Sequence, residues 1–264
     1  MNTGLDQDQL VRYSRQLLLP QVQVPGQRRL LASHALIVGA GGLGSPSAMY
    51  LAAAGVGELT IADDDRVELS NLHRQLLHRT ADVGRDKVDS ARDTLAGINP
   101  GVRVSTIGER LQGEALQRAV EAADVVLDGS DNFTTRFAVN EACVRSGTPL
   151  VSGAAVRLEG QVSVFRPDLG AGPCYRCLYR DDGGAGETCA ANGVLSPVVG
   201  VIGCIQAIEA IKVLTGLGET LAGRLLLFDA AGMQWREMRL RADPGCPVCS
   251  GPAGARADAR QAAG

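Results

Sequence analysis

A glycine-rich turn between an apolar segment and a small-residue segment constrains the fold of this chain more than any other feature. Gly39, Gly41 and Gly44 form the pattern Gly-x-Gly-x-x-Gly after the apolar segment 35–38, and residues 43–54 predict a helix. Glycines allow a tight turn and a close approach of the backbone, and the start of a helix offers unpaired N–H groups to a phosphate. The pattern predicts a nucleotide-binding βαβ unit. A glycine turn of purely structural origin is the competing interpretation.

The order of apolar segments after this turn predicts an α/β fold. Strands alternate with helices as far as residue 153, which indicates parallel βαβ units covered on both faces. Beyond that point residues 161–165 alternate as in a strand of an antiparallel sheet, and residues 225–240 predict further strand. We therefore expect a Rossmann-like, mainly parallel sheet flanked by helices, with an antiparallel C-terminal extension that shares its core.

The segments outside this sheet divide the chain further. Residues 6–19 predict one amphipathic helix that carries Arg15, within an N-terminal helical arm. The glycine-rich polar segment 181–193 predicts a mobile loop, and the Ala/Gly/Arg-rich tail predicts disorder. The expected parts are a helical arm at 1–33, a Rossmann-like nucleotide-binding part at 34–153, an antiparallel extension with the same core at 154–250, and a tail at 251–264.

A polar cluster beyond the second predicted strand distinguishes this site from that of an NAD enzyme. Asp63 ends that strand, where a carboxylate can accept hydrogen bonds from ribose hydroxyls. Asn71, Arg74 and Gln75 follow shortly afterwards, and an NAD enzyme has no evident need for them. A triphosphate does need cations and amide donors, because its oxygens must be matched by donors. With Lys87 as a second candidate cation, the sequence predicts an ATP site.

A carboxylate follows another predicted strand of the same sheet. Asp131 and Asn132 come after the strand 124–127, at the carboxyl edge where ligands bind in such folds. A carboxylate there can hold Mg²⁺, which bridges phosphate oxygens. Either residue can instead cap the helix that begins near Phe133. We expect Asp131 to hold Mg²⁺, with helix capping as the alternative.

Four of the seven cysteines form two Cys-x-x-Cys pairs. Cys174 with Cys177 and Cys246 with Cys249 predict a closed tetrahedral Zn²⁺ site, which is structural because no position is open to substrate. Two redox dithiols are the competing interpretation. Cys189 lies in the polar segment 181–193, where an exposed thiol can be a nucleophile or dispensable, and both interpretations stay open.

Composition excludes some partners. A formal net charge of −3 gives no reason to expect nucleic acid or an anionic membrane surface as a partner.

The apolar run 194–214 is about long enough to span a bilayer, but Glu209 and Lys212 interrupt it, so a buried helix is predicted. Residues 1–10 have no signal-peptide pattern, and we expect a cytoplasmic protein.

Taken together, these motifs resemble the family of adenylyltransferases that activate ubiquitin-like sulfur carriers, MoeB and ThiF, which are relatives of the ubiquitin-activating enzymes. The resemblance runs from about Leu10 to Cys249. Its markers are both cysteine pairs and the segments 12–16, 39–45, 70–75, 151–155 and 187–189. It implies that a carrier's C-terminal Gly-Gly carboxylate attacks the α-phosphate of ATP, which gives an acyl-adenylate and pyrophosphate.

The resemblance also assigns roles to residues. Asp63 would hold the ribose, Asp131 would bind Mg²⁺, and Arg15 would reach the phosphates bound to the partner subunit of a homodimer. The implied catalytic residues are Arg15, Arg74, Lys87, Asp131 and Cys189. The implied nucleotide-binding residues are Gly39, Gly41, Gly42, Gly44, Asp63, Ser70, Asn71, Arg74, Gln75, Lys87, Asp131 and Asn132. A general base is not needed, because the attacking carboxylate is ionised near pH 7.

Two branches of this family differ in the use of Cys189. In the thiamine branch the matching cysteine joins the carrier covalently, whereas in the molybdopterin branch the adenylate itself meets the sulfur donor. We favour the molybdopterin-synthase type and keep the thiamine type as the alternative. The chain ends soon after Cys249, so sulfur is expected from a separate donor protein, and the carrier is expected to contact the antiparallel part and segment 181–193. An NAD-linked oxidoreductase and a non-catalytic nucleotide-binding scaffold are more distant alternatives.

Overall fold

The structure is a computed structural model that describes residues 4–170, 172–179 and 192–250. These residues form one eight-stranded sheet. Its strands are β1 (His34–Val38), β2 (Glu58–Ala62), β3 (Arg103–Ile107), β4 (Val125–Asp128), β5 (Leu150–Val156), β6 (Glu159–Phe165), β7 (Arg224–Asp229) and β8 (Gln234–Arg239).

The strand order is β3-β2-β1-β4-β5-β6-β7-β8. Strands β1 to β5 pair in parallel, and β5 to β8 pair antiparallel. The predicted α/β fold, a mainly parallel sheet with an antiparallel extension, is thereby confirmed. β5 runs across position 153, so the parallel and antiparallel parts share a strand.

Helices cover both faces of the sheet. They are α1 (Gln7–Arg12), α2 (Ser14–Leu17), α3 (Gln23–Ala32), α4 (Gly44–Ala54), α5 (Lys87–Ile98), α6 (Gly113–Glu121), α7 (Phe133–Ser146), α8 (Tyr175–Leu178) and α9 (Ser196–Thr215). The two faces are visible within β1: Ala35 and Ile37 join the core beneath α4, α5 and α9, whereas Leu36 and Val38 join the core beneath α6 and α7. Full burial of one such large side chain stabilises the fold by about 1.5–3 kcal/mol.

Helix α9 has the length and apolar composition of a membrane-spanning helix, yet half of that stretch is buried inside the protein. It packs on α4, β5 and β6. Its two charged residues are paired, because Lys212 donates to Glu209 and the other oxygen of Glu209 accepts the N–H of Leu221 at 2.7 Å. The expectation of a buried core helix is therefore confirmed.

The N-terminal arm differs from the single helix predicted for residues 6–19. The helix breaks at Tyr13, whose backbone leaves helical geometry between α1 and α2. The Tyr13 side chain is 3% exposed, and its hydroxyl accepts from Asn99 Nδ2 at 2.9 Å. Its ring fills the space beside Gly55, where a Cβ would lie 2.5 Å from the ring. The free energy gained by burying this ring and forming its hydrogen bond exceeds the free energy lost by interrupting the helix.

Candidate active site

A cleft of about 670 Å³ opens at the carboxyl ends of β1, β2 and β4. The chain leaves β1 for β2 on one side, and β4 lies on the other, so the cleft occupies the switch point at which open α/β sheets bind ligands. Its volume is typical of small-molecule and cofactor sites, which occupy roughly 300–1,000 Å³. Its lining includes the predicted residues Gly39, Gly41, Gly42, Asp63, Arg74, Gln75, Lys87, Asp131 and Asn132.

Glycine is required at different positions of the turn for different physical reasons. Gly39 has φ +95°, and a Cβ at Gly44 would lie 1.8 Å from the carbonyl oxygen of Gly39, so the turn itself requires both residues. A Cβ at Gly41 would meet only Gln75 Nε2, at an ordinary 3.7 Å. The protein's own packing therefore does not demand glycine at position 41. Close approach of a ligand at the cleft is the remaining physical reason for it.

Asp63 is fixed at the end of β2 by backbone donors. Its Oδ2 accepts the N–H of Ala40 at 2.7 Å, and its Oδ1 accepts the N–H of Asp65 at 2.9 Å. Burial raises the pKa of Asp63, and the nearby Lys87 ammonium opposes that shift. Each oxygen keeps a second lone pair, so the carboxylate can still accept from a pair of ribose hydroxyls.

Lys87 is a buried cation at the start of α5. Its side chain is 6% exposed, and Nζ lies 2.7 Å from Asp65 Oδ2 and 3.7 Å from Asp63 Oδ1. Asp65 is 69% exposed, so its carboxylate can turn to water when a phosphate takes its place beside Lys87. Asp65 is a residue that the sequence argument missed, although the acidic run 63–65 signalled it.

Arg74 and Gln75 extend the polar wall of the cleft. Arg74 donates to the carbonyl of Ser70 at 3.1 Å and remains half-buried at the surface of the cleft. Gln75 is 4% exposed, and its Oε1 has no hydrogen-bond partner within the described part of the chain. A bound donor would satisfy this buried oxygen. Ser70 and Asn71 occupy the adjacent 3₁₀ turn and are placed beside the lining rather than in it.

Asp131 and Asn132 lie in different surroundings at the start of α7. Asn132 caps α7, because its Oδ1 accepts the N–H of Thr135 at 2.9 Å. Asp131 is exposed and lines the cleft, with its Oδ1 3.4 Å from the amide nitrogen of Asn132. An exposed carboxylate at a cleft that Lys87 also lines is chemically suited to hold Mg²⁺.

Comparison with known proteins identifies the family to which this chain belongs. Residues 13–248 match the model described as the ThiF family. The chain belongs to the ThiF family. It is similar to the sulfur carrier protein ThiS adenylyltransferase of Escherichia coli, with 51% identity over 91% of this chain and 95% of that protein. It is also similar to the molybdopterin-synthase adenylyltransferase of the same organism, with 47% identity over 93% and 98% of the two chains.

A solved structure shares the fold of this ThiF-family chain. Escherichia coli MccB with MccA-N7isoASN superposes with a TM-score of 0.81 at 24% identity, covering 94% of this chain and 76% of that one. At this identity the likeness concerns the fold alone. The family resemblance read from the sequence motifs is confirmed by the family match and by relatives that are named adenylyltransferases.

Arg15 is not assembled with the cleft of its own chain. Arg15 lies on α2, is exposed, and is outside the lining of the cleft in its own chain. The arm that carries it is anchored by Gln16, whose amide donates to Gln27 Oε1 at 2.8 Å and to the carbonyl of Ala54 at 3.1 Å. Cys189 and most of segment 181–193 lie outside the described residues, as does the tail 251–264.

The four predicted zinc ligands converge in this ThiF-family fold. The sulfur atoms of Cys174, Cys177, Cys246 and Cys249 all lie within 4.8 Å of one another. Sγ of Cys174 is 3.7 Å from that of Cys246, and Sγ of Cys177 is 3.4 Å from that of Cys249. Tetrahedral Zn²⁺ with bonds of about 2.3 Å separates its sulfur ligands by about 3.8 Å, so the cluster fits the ion. Because the contacts join one pair to the other, two separate dithiols describe the site less well.

A second possible metal cluster, formed by Asp63, Asp64 and Asp65, lies at the cleft itself. Asp64 and Asp65 are exposed, and exposed acidic groups commonly occur together without a metal. Asp65 is engaged by Lys87. The cysteine cluster is therefore the better structural metal site of the two.

Proposed function

We propose that this chain transfers the adenylyl group of ATP to the C-terminal Gly-Gly carboxylate of a ubiquitin-like sulfur carrier. The observation that carries the proposal is the convergence of the glycine turn, Lys87, Arg74 and Asp131 on one cleft. This convergence occurs in a chain whose relatives at 47–51% identity are named sulfur-carrier and molybdopterin-synthase adenylyltransferases.

The cleft suggests how ATP is held. Asp63 accepts from the ribose hydroxyls, and the turn before α4 places the backbone of Gly41 and Gly42 at the cleft, where their N–H groups can donate to the phosphates. Lys87 and Arg74 neutralise phosphate oxygens. Mg²⁺ held by Asp131 would supply further neutralisation of the charge on the phosphates. Asn132 contributes by fixing the start of α7 next to Asp131.

The reaction itself needs little proton transfer. A carboxylate oxygen of the carrier forms a bond to the α-phosphorus, and the bond from that phosphorus to the pyrophosphate oxygen breaks. The carrier carboxylate is already ionised near pH 7, so a general base is not required. Positioning of the two reactants and cationic side chains around the phosphates supply the rate enhancement.

A second copy of the chain would complete the site. Arg15 is exposed, lies outside its own cleft, and is next to Gln16, whose hydrogen bond to the Ala54 carbonyl anchors the arm. An arginine delivered from a partner subunit can stabilise charge that develops on a phosphate. We infer a homodimer in which Arg15 of each subunit contacts the nucleotide bound to the other.

The antiparallel part offers a surface for the carrier. All six residues of β8 are exposed, and the Trp235 ring stacks on Phe228 with centroids 4.3 Å apart. Met233, in the turn before β8, is 73% exposed. Phe228 also lines the cleft, so an apolar surface leads into the nucleotide site. We infer that the carrier contacts β8 and that its Gly-Gly tail enters the cleft from this side.

Pathway and sulfur transfer form the finer part of the proposal. The relatives include a ThiS adenylyltransferase and a molybdopterin-synthase adenylyltransferase at similar identity, so the preference for the molybdopterin type stays a prediction. Covalent use of Cys189 in the thiamine type is the alternative. A separate protein would donate the sulfur, the cysteine cluster would hold structural Zn²⁺, and the proposed enzyme would act in the cytoplasm, without nucleic-acid or membrane partners.

ATP–pyrophosphate exchange tests this proposal. Purified protein with Mg²⁺ is supplied with a molybdopterin-type or a thiamine-type carrier, and the control is each carrier without its final Gly-Gly. Exchange that depends on an intact carrier would establish the adenylylation, and the preferred carrier would indicate the pathway. Absence of exchange with both carriers, while ATP still binds, would contradict the proposed reaction.

A further inference from the structure

The loop that carries Asp131 is held from two sides through its neighbour, Ser130. Asp128 at the end of β4 is 1% exposed, and its Oδ1 accepts from the backbone N–H of Ser130 at 3.0 Å and from the Ser130 hydroxyl at 2.6 Å. On the other side Arg136 Nη2 donates to the carbonyl of Ser130 at 2.6 Å. Because that carbonyl belongs to the peptide preceding Asp131, Arg136 fixes the orientation from which the Asp131 side chain projects.

The same guanidinium reaches towards the cysteine cluster. Arg136 is 8% exposed, and its Nη1 lies 3.4 Å from the hydroxyl of Tyr175, the residue after Cys174. Asn140, one turn further along α7, accepts the N–H of Tyr175 at 2.8 Å. Its amide nitrogen also lies 3.7 Å from Cys174 Sγ. One side of α7 therefore touches the cluster and the Asp131 loop through adjacent turns.

Aromatic packing makes this connection stiff. The Tyr175 ring contacts Phe137 of α7 and Phe165 of β6, with centroids 5.8 Å and 6.0 Å apart. Tyr179, at the other end of α8, contacts Phe133 at 5.6 Å, and both of these residues line the cleft. A short helix held by two cysteine ligands thus forms part of the packing behind the cleft wall. Four residues of helix have little stability of their own, so their order depends on their tertiary contacts.

From this arrangement we propose that Arg136 is a positioning residue that couples the metal-loaded cysteine cluster to Asp131. The metal orders α8, Tyr175 holds one end of the Arg136 guanidinium, and the other end holds the Ser130 carbonyl. Loss of metal would release Tyr175, loosen the loop 129–132 and weaken Mg²⁺-dependent binding of ATP. This inference rests on the proposed function, because it assigns Asp131 to Mg²⁺.

Hydrogen exchange in the nucleotide-free protein tests the coupling first. Zinc-loaded and zinc-stripped wild type are compared with Arg136→Lys, which keeps a buried positive charge near Asp128 but has a single nitrogen and cannot span both oxygen atoms. Zinc removal is expected to speed exchange at 129–132 in the wild type. In Arg136→Lys exchange there is expected to be fast already, and zinc removal is expected to add little, since coupled changes are not additive. Additive effects, unchanged exchange at 129–132, or an equal rise over the whole sheet would overturn the proposal.

ATP affinity in the zinc-loaded proteins gives the second readout. We expect Arg136→Lys to lose about tenfold in ATP affinity with Mg²⁺ present and little in its absence, because only the Asp131 loop has moved. A merely structural role would lower the melting temperature without changing the ratio of the two affinities. Arg145→Lys is the matched control, because Arg145 lies on the same helix but is exposed and donates to Gln117 of α6. Failure of the wild type to bind ATP would count against the proposed function, while the exchange experiment would still decide the coupling.

Discussion

The parallel and antiparallel parts of the sheet build their surfaces in different ways. At the carboxyl ends of β1, β2 and β4, positions are set by backbone geometry and buried polar contacts, as in the bonds from Ala40 and Asp65 to Asp63. At β8 all six residues are exposed, and the ring of Trp235 stacks on the buried ring of Phe228. A charged nucleotide requires preorganised donors, whereas a protein partner can bind an apolar sheet face. In the proposed function, nucleotide binding would depend on the first part and carrier recognition on the second, although both parts share one core.

The largest expected effect separates two glycines of the same turn. Gly44→Ala should destabilise the protein by on the order of 3 kcal/mol or more, because its Cβ would overlap the Gly39 carbonyl at 1.8 Å. Gly41→Ala should fold normally and lose ATP affinity tenfold or more, since its Cβ occupies the cleft. Thermal unfolding and calorimetric titration with ATP measure the two effects. If both substitutions destabilised the protein equally, glycine would be needed for folding at both positions, and the assignment of Gly41 to ligand binding would be wrong.

Next in size is the loss expected at the proposed metal position. Asp131→Ala should lower adenylate formation about 100-fold or more while leaving the unfolding temperature near that of the wild type, because Asp131 is exposed and makes few contacts. Carrier-dependent pyrophosphate exchange measures this effect. Asp64→Ala is the matched control, another exposed carboxylate at the same cleft. If Asp64→Ala lost the activity and Asp131→Ala kept it, the Mg²⁺ assignment would move to the acidic run 63–65.

A smaller and more selective effect is expected on β8. Trp235→Ala should weaken carrier binding about tenfold and leave ATP affinity unchanged, because it removes apolar area outside the polar part of the cleft. Leu169→Ala, which removes another exposed apolar side chain away from this surface, should change neither. Calorimetric titration with each ligand separates the two affinities. A drop in ATP affinity for Trp235→Ala would break the proposed division between the two parts.

The smallest effect concerns acid stability. His78 is 5% exposed, and burial lowers its pKa although its hydrogen bond to the Ala40 carbonyl opposes this. The unfolded chain therefore binds more protons than the folded protein below pH 6.5, and the free energy of unfolding should fall as the pH decreases from that value. His78 contributes at most about 1.4 kcal/mol per pH unit to the slope of the free energy of unfolding against pH. Urea unfolding measures the free energy of unfolding of the wild type and of His78→Gln between pH 5.5 and 7.5. This free energy should decrease less steeply towards low pH in the variant. Equal slopes would show that His78 is not the cause of the decrease.

Several structural features followed from the sequence alone. The apolar and glycine pattern around residues 35–54 determined the first βαβ unit, and two Cys-x-x-Cys pairs indicated the four-cysteine cluster. These patterns are local or use few residue types with strict chemistry. The break at Tyr13 was missed because its cause, a hydrogen bond from Asn99, lies 86 residues away.

The sequence by itself determined the class of fold, the family and the kinds of residue at the site, because short-range spacing encodes strand, turn and ligand chemistry. Tertiary structure decided which of these residues share one cleft. It separated Asn132, which caps α7, from Asp131, which faces the cleft, and it joined Arg136 to both Ser130 and Tyr175. Those pairings connect residues on different elements, and they depend on distances that only packing of the whole sheet and its helices brings within hydrogen-bonding range.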